Sequence, residues 1–162
     1  MEKTRPTEHH RRLECLVGQW SGPEKIRAPH TTHTDATGTF DLRMALDGLF
    51  LVADYVERAG AEILLRGHGV IGWDPQGKSY TLHWFDTYGF PPISPGRGQL
   101  DGDALIFEHV YATKRGRTML ALAGPEKMKF KIEMNVGGEG WQTAVDGDFT
   151  LRTTTPEIRA AH

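Results

Sequence analysis

The chain has a single cysteine, Cys15, among its 162 residues. That excludes an internal disulfide framework and a cysteine-rich zinc site. It lacks any run of about 18 apolar residues, so no helix of it is expected to span a bilayer. Its start, MEKTRPTEHHRR, lacks the apolar stretch of a secretion signal. It also lacks an excess of either charge: the formal net charge is -2, so no global field recruits nucleic acid or anionic lipid. No internal repeat or low-complexity segment interrupts it. These absences point to a soluble, cytoplasmic protein with neither nucleic acid nor membrane as partner. At this length one domain is expected, burying roughly 70% of the unfolded chain's surface.

Helix is scarce as well. EHHRRLECLVG is the one helical stretch, with Leu13, Leu16 and Val17 on one face and Gly18 as its stop. Everything after it alternates with period two. In MKFKIEMNV, Met128, Phe130, Ile132, Met134 and Val136 face one way, and Lys129, Lys131, Glu133 and Asn135 the other. Asp47-Gly48, Asp101-Gly102, Asp146-Gly147 and Gly137-Gly138 read as turns. Between such marks lie about ten strands, near 19–26, 33–46, 49–58, 62–73, 78–86, 97–101, 104–112, 117–123, 127–136 and 141–153. Short strands in hairpin succession imply an all-β, antiparallel up-and-down barrel, whose closure removes the sheet edges. The barrel is expected over 8–155, with flexible tails at 1–7 and 156–162.

The segment RGHGVIGWD contains Gly67-x-Gly69-x-x-Gly72, the letter pattern of a dinucleotide-binding turn. Such a turn needs a helix after it to receive the phosphate. The chain continues instead as WDPQGKSYTLHWFD, a turn and another strand. The glycines therefore belong to barrel geometry, marking a bulge, a bend or a close approach. Two hairpin registers are open. The preferred one sets Trp73 opposite Ser79, pairing Gly72 with Tyr80, His68 with Trp84 and Arg66 with Asp86. A slip of one residue sets Trp73 opposite Tyr80 and Gly69 opposite Trp84, and removes the ion pair.

The stretch LECLVGQW, a short helix leading into Gly18-x-Trp20, resembles the opening of the calycin barrels, the lipocalins and fatty-acid-binding proteins. In those the tryptophan closes one barrel end beneath an arginine from a late strand, a part that Arg152 in FTLRT would take by resemblance. LVGQW, LDGLFLVADY and GHGVIGWDPQGKSYTLHWFDTYG, in this order, are similar to an uncharacterised, mostly bacterial family of lipocalin-like barrels, a domain of unknown function. The similarity covers roughly residues 10 to 90 well and the remainder loosely. The family's usual acidic strand leading to a Thr-Tyr pair is replaced here by VDGDFTLRT. The resemblance implies a fold and little chemistry.

A barrel of this size encloses a small ligand when alternate side chains line a cavity. On KSYTLHWFD the bulkier face is Tyr80, Leu82, Trp84 and Asp86, placed inside, which carries Arg66, His68 and Val70 inward by the preferred register. Leu105, Phe107, His109 and Tyr111 join them. Two faces of FLVADYVER are open, Leu51, Ala53 and Tyr55 or Phe50, Val52 and Asp54, and the Tyr55 face is preferred; Phe130 and Met134 complete the wall. The expected ligand-binding set is therefore Tyr55, Arg66, His68, Tyr80, Trp84, Asp86, Phe107, His109, Phe130 and Met134, around a small, partly apolar molecule. The bland account of the same polar groups is mutual satisfaction, Arg66 with Asp86 and each histidine with a backbone or hydroxyl group.

Two other functions use the same barrel. One is an isomerase, cyclase or hydrolase with His68 and Asp86 as acid and base; the other is an interaction module with a filled interior, and a homodimer is possible. Neither a Gly-x-Ser-x-Gly turn nor a base beside Cys15 is present. No metal is expected, because His83 has the wrong parity to join His68 and His109, while His9, His10, His30 and His33 lie in solvated segments. No cofactor is expected either; no histidine stands between residues 110 and 161 to hold a heme. KRGR at 114–117 reads as a solvated turn, and TYGFPPISPG, 87–96, as an ordered turn or a lid bearing Tyr88 and Phe90.

Overall fold

The computed structural model describes residues 3–27, 31–110 and 114–153. A four-residue helix α1, Glu8–Arg11, runs into a 3-10 turn over Arg12–Leu16. Ten strands come after it: β1 Gly18–Ile26, β2 Asp35–Ala45, β3 Phe50–Ala59, β4 Glu62–Asp74, β5 Ser79–Asp86, β6 Gly96–Asp101, β7 Ala104–Val110, β8 Lys114–Leu122, β9 Lys127–Val136 and β10 Gln142–Thr153. Each pairs antiparallel with the next and β10 closes onto β1, a closed up-and-down barrel as the alternation implied. No helix among the described residues is long and apolar enough to cross a membrane.

Three of the four expected turns are turns, with Asp47, Gly48, Gly102, Gly137 and Gly138 at positive φ. Asp146-Gly147 is instead mid-strand in β10, paired with Lys131 and Phe130. A side chain at 147 would press into Phe149 and Glu24, so this glycine serves packing and not chain reversal. KRGR likewise begins β8 and is no turn; Arg117 reaches Glu133 at 2.7 Å and lies over the Trp141 ring.

The helical segment closes the end of the barrel from which β1 departs. Trp20 is almost fully buried and donates its indole N–H to the Leu16 carbonyl at 2.8 Å. Tyr80 donates its hydroxyl to the His9 carbonyl at 2.9 Å, and His9 stacks on Trp73. Thr7 donates its backbone N–H to His10 Nδ1, a histidine in the place a capping glutamate often takes. Arg152, the arginine expected over Trp20, is exposed on β10.

The hairpin register is the alternative one: Trp73 opposite Tyr80, Gly69 opposite Trp84, Gly67 opposite Asp86. Because side chains alternate with period two, this slip reverses the whole of β4. Gly67, Gly69 and Ile71 face in; Arg66, His68 and Val70 face out. Arg66 and Asp86 form no ion pair. The reason is Trp84: a Cβ on Gly67 would overlap its ring, and one on Gly69 would come within 2.9 Å of it. The glycines of RGHGVIGWD give that indole a flat wall to lie against. Gly72 does the same on the outer surface for Phe50.

Candidate functional site

Strands β1, β3, β5, β7 and β9 all end at the barrel end opposite the helix, and there the interior is hollow. The cavity is about 630 Å³, within the range of ordinary ligand sites, roughly 300–1,000 Å³. Its floor is aromatic: Phe40, Tyr55 and Phe130 meet ring to ring, with Phe40 and Tyr55 centroids 4.6 Å apart, and Phe149 packs against Phe40 and Phe130 from outside the cavity. Phe107, Leu82, Leu120, Ile132 and Met134 continue the wall. Trp84 stands 6.2 Å from Tyr55, centroid to centroid.

Polar groups are few and individually held. Asp86 accepts the Trp84 indole N–H at 3.1 Å and the Tyr88 backbone N–H at 2.9 Å, which fixes the loop leaving β5. His109 lies flat against Gly96, where a side chain would collide with its ring, and its Nε2 is 3.2 Å from the Thr118 hydroxyl. Burial pushes the His109 pKa down, favouring neutral imidazole. At the rim His33 is 3.2 Å from Glu62.

The most unusual group is one that sequence reasoning missed. Glu24 on β1 points inward and is 2% exposed. Both its oxygens are 2.8 Å from the Tyr55 hydroxyl, and Glu57, 7% exposed, is 3.1 Å from the same hydroxyl. Burial raises the Glu24 pKa to about 8, and the Glu57 carboxyl adds to the rise. Burial also raises Glu57 and Tyr55. Glu24 has a seat made for it: a Cβ on Gly38 would overlap its carboxylate, and one on Gly147 would come 3.0 Å from its Cγ. Glu57 and Tyr55 line the cavity directly, with Glu24 touching Tyr55 from the wall.

Of the ten expected site residues, Tyr55, Trp84, Asp86, Phe107, His109, Phe130 and Met134 line this cavity. Tyr80 is buried at the other end, bound to the helical segment. Arg66 and His68 are exposed on the outer wall. His68 is 2.6 Å from Asp54, which also accepts from Arg43, so the His68–Asp86 acid/base pair does not exist. Tyr111 lies outside the described residues. The loop after β5 is divided: Tyr88 lines the cavity, whereas Phe90 points away at 80% exposure. Among the described residues no group of three or more His, Cys, Asp or Glu is placed to hold a metal.

Residues 5–151 match the model of a family described as a protein of unknown function, DUF1579. Among solved structures, the barrel is similar to Rv2717c from M. tuberculosis (TM-score 0.68, 15% identity, covering 91% of this chain and 99% of that one). It is also similar to the S-type phycobiliprotein lyase CPES from Guillardia theta (TM-score 0.65, 11% identity, 92% and 95%). At such identities the likeness is one of fold. No curated protein matches the chain.

Proposed function

Since the chain belongs to the DUF1579 family, proteins of unknown function, its activity has to be read from its own site, and we propose that it binds a small, partly apolar molecule inside the barrel. One observation carries this reading: a cavity of about 630 Å³, aromatic at its floor, aliphatic along its wall and bearing a few separately held polar groups. That combination characterises ligand sites, where apolar area supplies affinity and a few polar groups supply orientation. A filled interaction module would have no such space. The acid/base alternative loses its histidine, because His68 faces away from the lumen.

Native mass spectrometry of protein purified from its own source tests the proposal. The expected spectrum shows an added mass that disappears on denaturation. A neutral apolar dye, N-phenyl-1-naphthylamine, is expected to brighten with the emptied protein and much less with Met134→Trp, which fills the cavity wall. A bare chain mass together with no dye uptake by the wild type overturns the reading.

A further inference from the structure

We propose that the molecule held in this cavity is an organic cation, a protonated amine on an apolar body, whose head is received by Glu57 and Asp86 beside the rings of Tyr55 and Trp84. The inference rests on the binding reading above and adds the charge of the ligand.

The first support is the composition of the wall. Among the described residues it carries three carboxylates, Glu57, Glu62 and Asp86, and neither lysine nor arginine. The strands do not lack basic residues; they turn them outward, where Arg43 meets Asp54, Arg117 meets Glu133 and Lys129 meets Asp146. Of the two histidines that line the wall among the described residues, His33 is engaged with Glu62, and desolvation pushes half-buried His109 toward its neutral form. Among the described residues the lumen therefore has acceptors and negative charge without a fixed counter-charge. An anionic head would meet like charge there and no lysine or arginine to answer it.

The second support is the unanswered charge of Glu57. Burial keeps a proton on Glu24 at neutral pH, so Glu24 and the Tyr55 hydroxyl, 2.8 Å apart, satisfy each other, and Glu57 has only that hydroxyl, at 3.1 Å, as a donor among the described residues. No lysine, arginine or histidine among the described residues pairs with either glutamate. Buried carboxylates are ordinarily paired or bound to a metal, and no metal-holding cluster is present among the described residues. Glu57 lines the cavity, so an incoming ammonium can give it both a proton donor and an opposite charge. The faces of Tyr55 and Trp84 add attraction for a cation near their rings. A cavity of this volume suits an organic molecule better than a bare ion.

The experiment compares decylamine, decanol and decanoate, three ligands with one tail and different heads, as competitors of N-phenyl-1-naphthylamine at neutral pH. Decylamine is expected to displace the dye at about tenfold lower concentration than decanol, the ordinary worth of a charge-assisted hydrogen bond. Decanoate should be the weakest of the three. In Glu57→Gln the amine-to-alcohol ratio is expected to shrink to about threefold or less, since the charge is gone and the shape kept. Asp86→Asn gives the same reading should Glu57→Gln fail to fold. If decanoate equals or surpasses decylamine, or the ratio persists in the folded variants, the charge inference is wrong while binding stands. If neither dye nor decanol enters the wild type, the binding reading falls and takes this inference with it.

Discussion

At the closed end of the barrel, Leu42, Leu51, Leu105 and Met128 are almost entirely removed from solvent and from the cavity. Toward the mouth the same strands carry Tyr55, Glu57, His109 and Met134 around empty space. One fold thus holds a packed half and a hollow half, a few residues apart on each strand. The packed half supplies the stability that lets the other retain buried carboxyls and unfilled volume. Polar groups and voids in an interior are costly, and they are tolerated where the surrounding structure leaves the chain no alternative. Wall glycines under Trp84, Glu24 and His109 are part of that device: each lets a large side chain lie along the barrel wall without crossing the lumen.

The largest break in this contrast comes from truncation. Leu51→Ala removes a fully buried side chain from the packed half and is expected to cost about 3 kcal/mol. Met134→Ala, at a half-buried position already facing open volume, should cost under about 1 kcal/mol, because no new enclosed void is made. Urea unfolding of the two variants checks the difference. Equal losses would mean that the mouth half is packed after all.

Next in size is the glycine wall. Gly67→Ala drives a methyl group into the Trp84 ring, an overpacking expected to cost about 1–3 kcal/mol and to alter tryptophan emission as the indole leaves its place. Gly72→Ala meets the half-exposed Phe50 ring at 2.8 Å from outside, where the ring is free to give, so its loss should be clearly smaller. Thermal unfolding and fluorescence of the pair separate the inner role from the outer one. The reverse order would return the chain to the register first preferred for this hairpin.

That register shows where the sequence stops being legible. Alternation along MKFKIEMNV labels both faces, and turn signals divide the rest, so ten strands and a closed barrel can be read without coordinates. Along RGHGVIGWD two of the inward positions, Gly67 and Gly69, are glycine, which carries no label, and the outward Arg66 and His68 are large enough to be mistaken for the site. A one-residue slip then moved two expected ligand groups outside and left Asp86 without its arginine. Glu24 and Glu57 were invisible for another reason: glutamate is seldom buried, and composition alone sends it to the surface. Their parity was available, since Glu24 keeps step with Trp20 and Ile26, and Glu57 with Leu51, Ala53 and Tyr55. Parity outranks polarity when a lumen has a use for charge.

Glu24 also sharpens the contrast through pH. Its folded pKa is about 8 against an ordinary 4.5, so between those values the native chain holds a proton that the unfolded chain releases. Stability from this group is complete below about pH 4.5 and declines as pH rises toward 8, by at most about 1.4 kcal/mol per unit. Surface carboxyls act oppositely. Asp74, tied to Arg97, and Asp35, tied to Lys25, have depressed pKa values, so what they contribute is lost only as pH falls below the usual carboxylate range. Stability is therefore expected to peak near pH 5, with an acid limb set by the outer wall and an alkaline limb set by the lumen. Glu24→Gln keeps a partner for the Tyr55 hydroxyl and has no charge to bury, so it should flatten the limb between pH 5 and 8 and leave the acid limb in place. Chemical unfolding of both proteins across that range is the measurement. A parallel decline in the two would mean that the proton on Glu24 is not what the hollow half depends on.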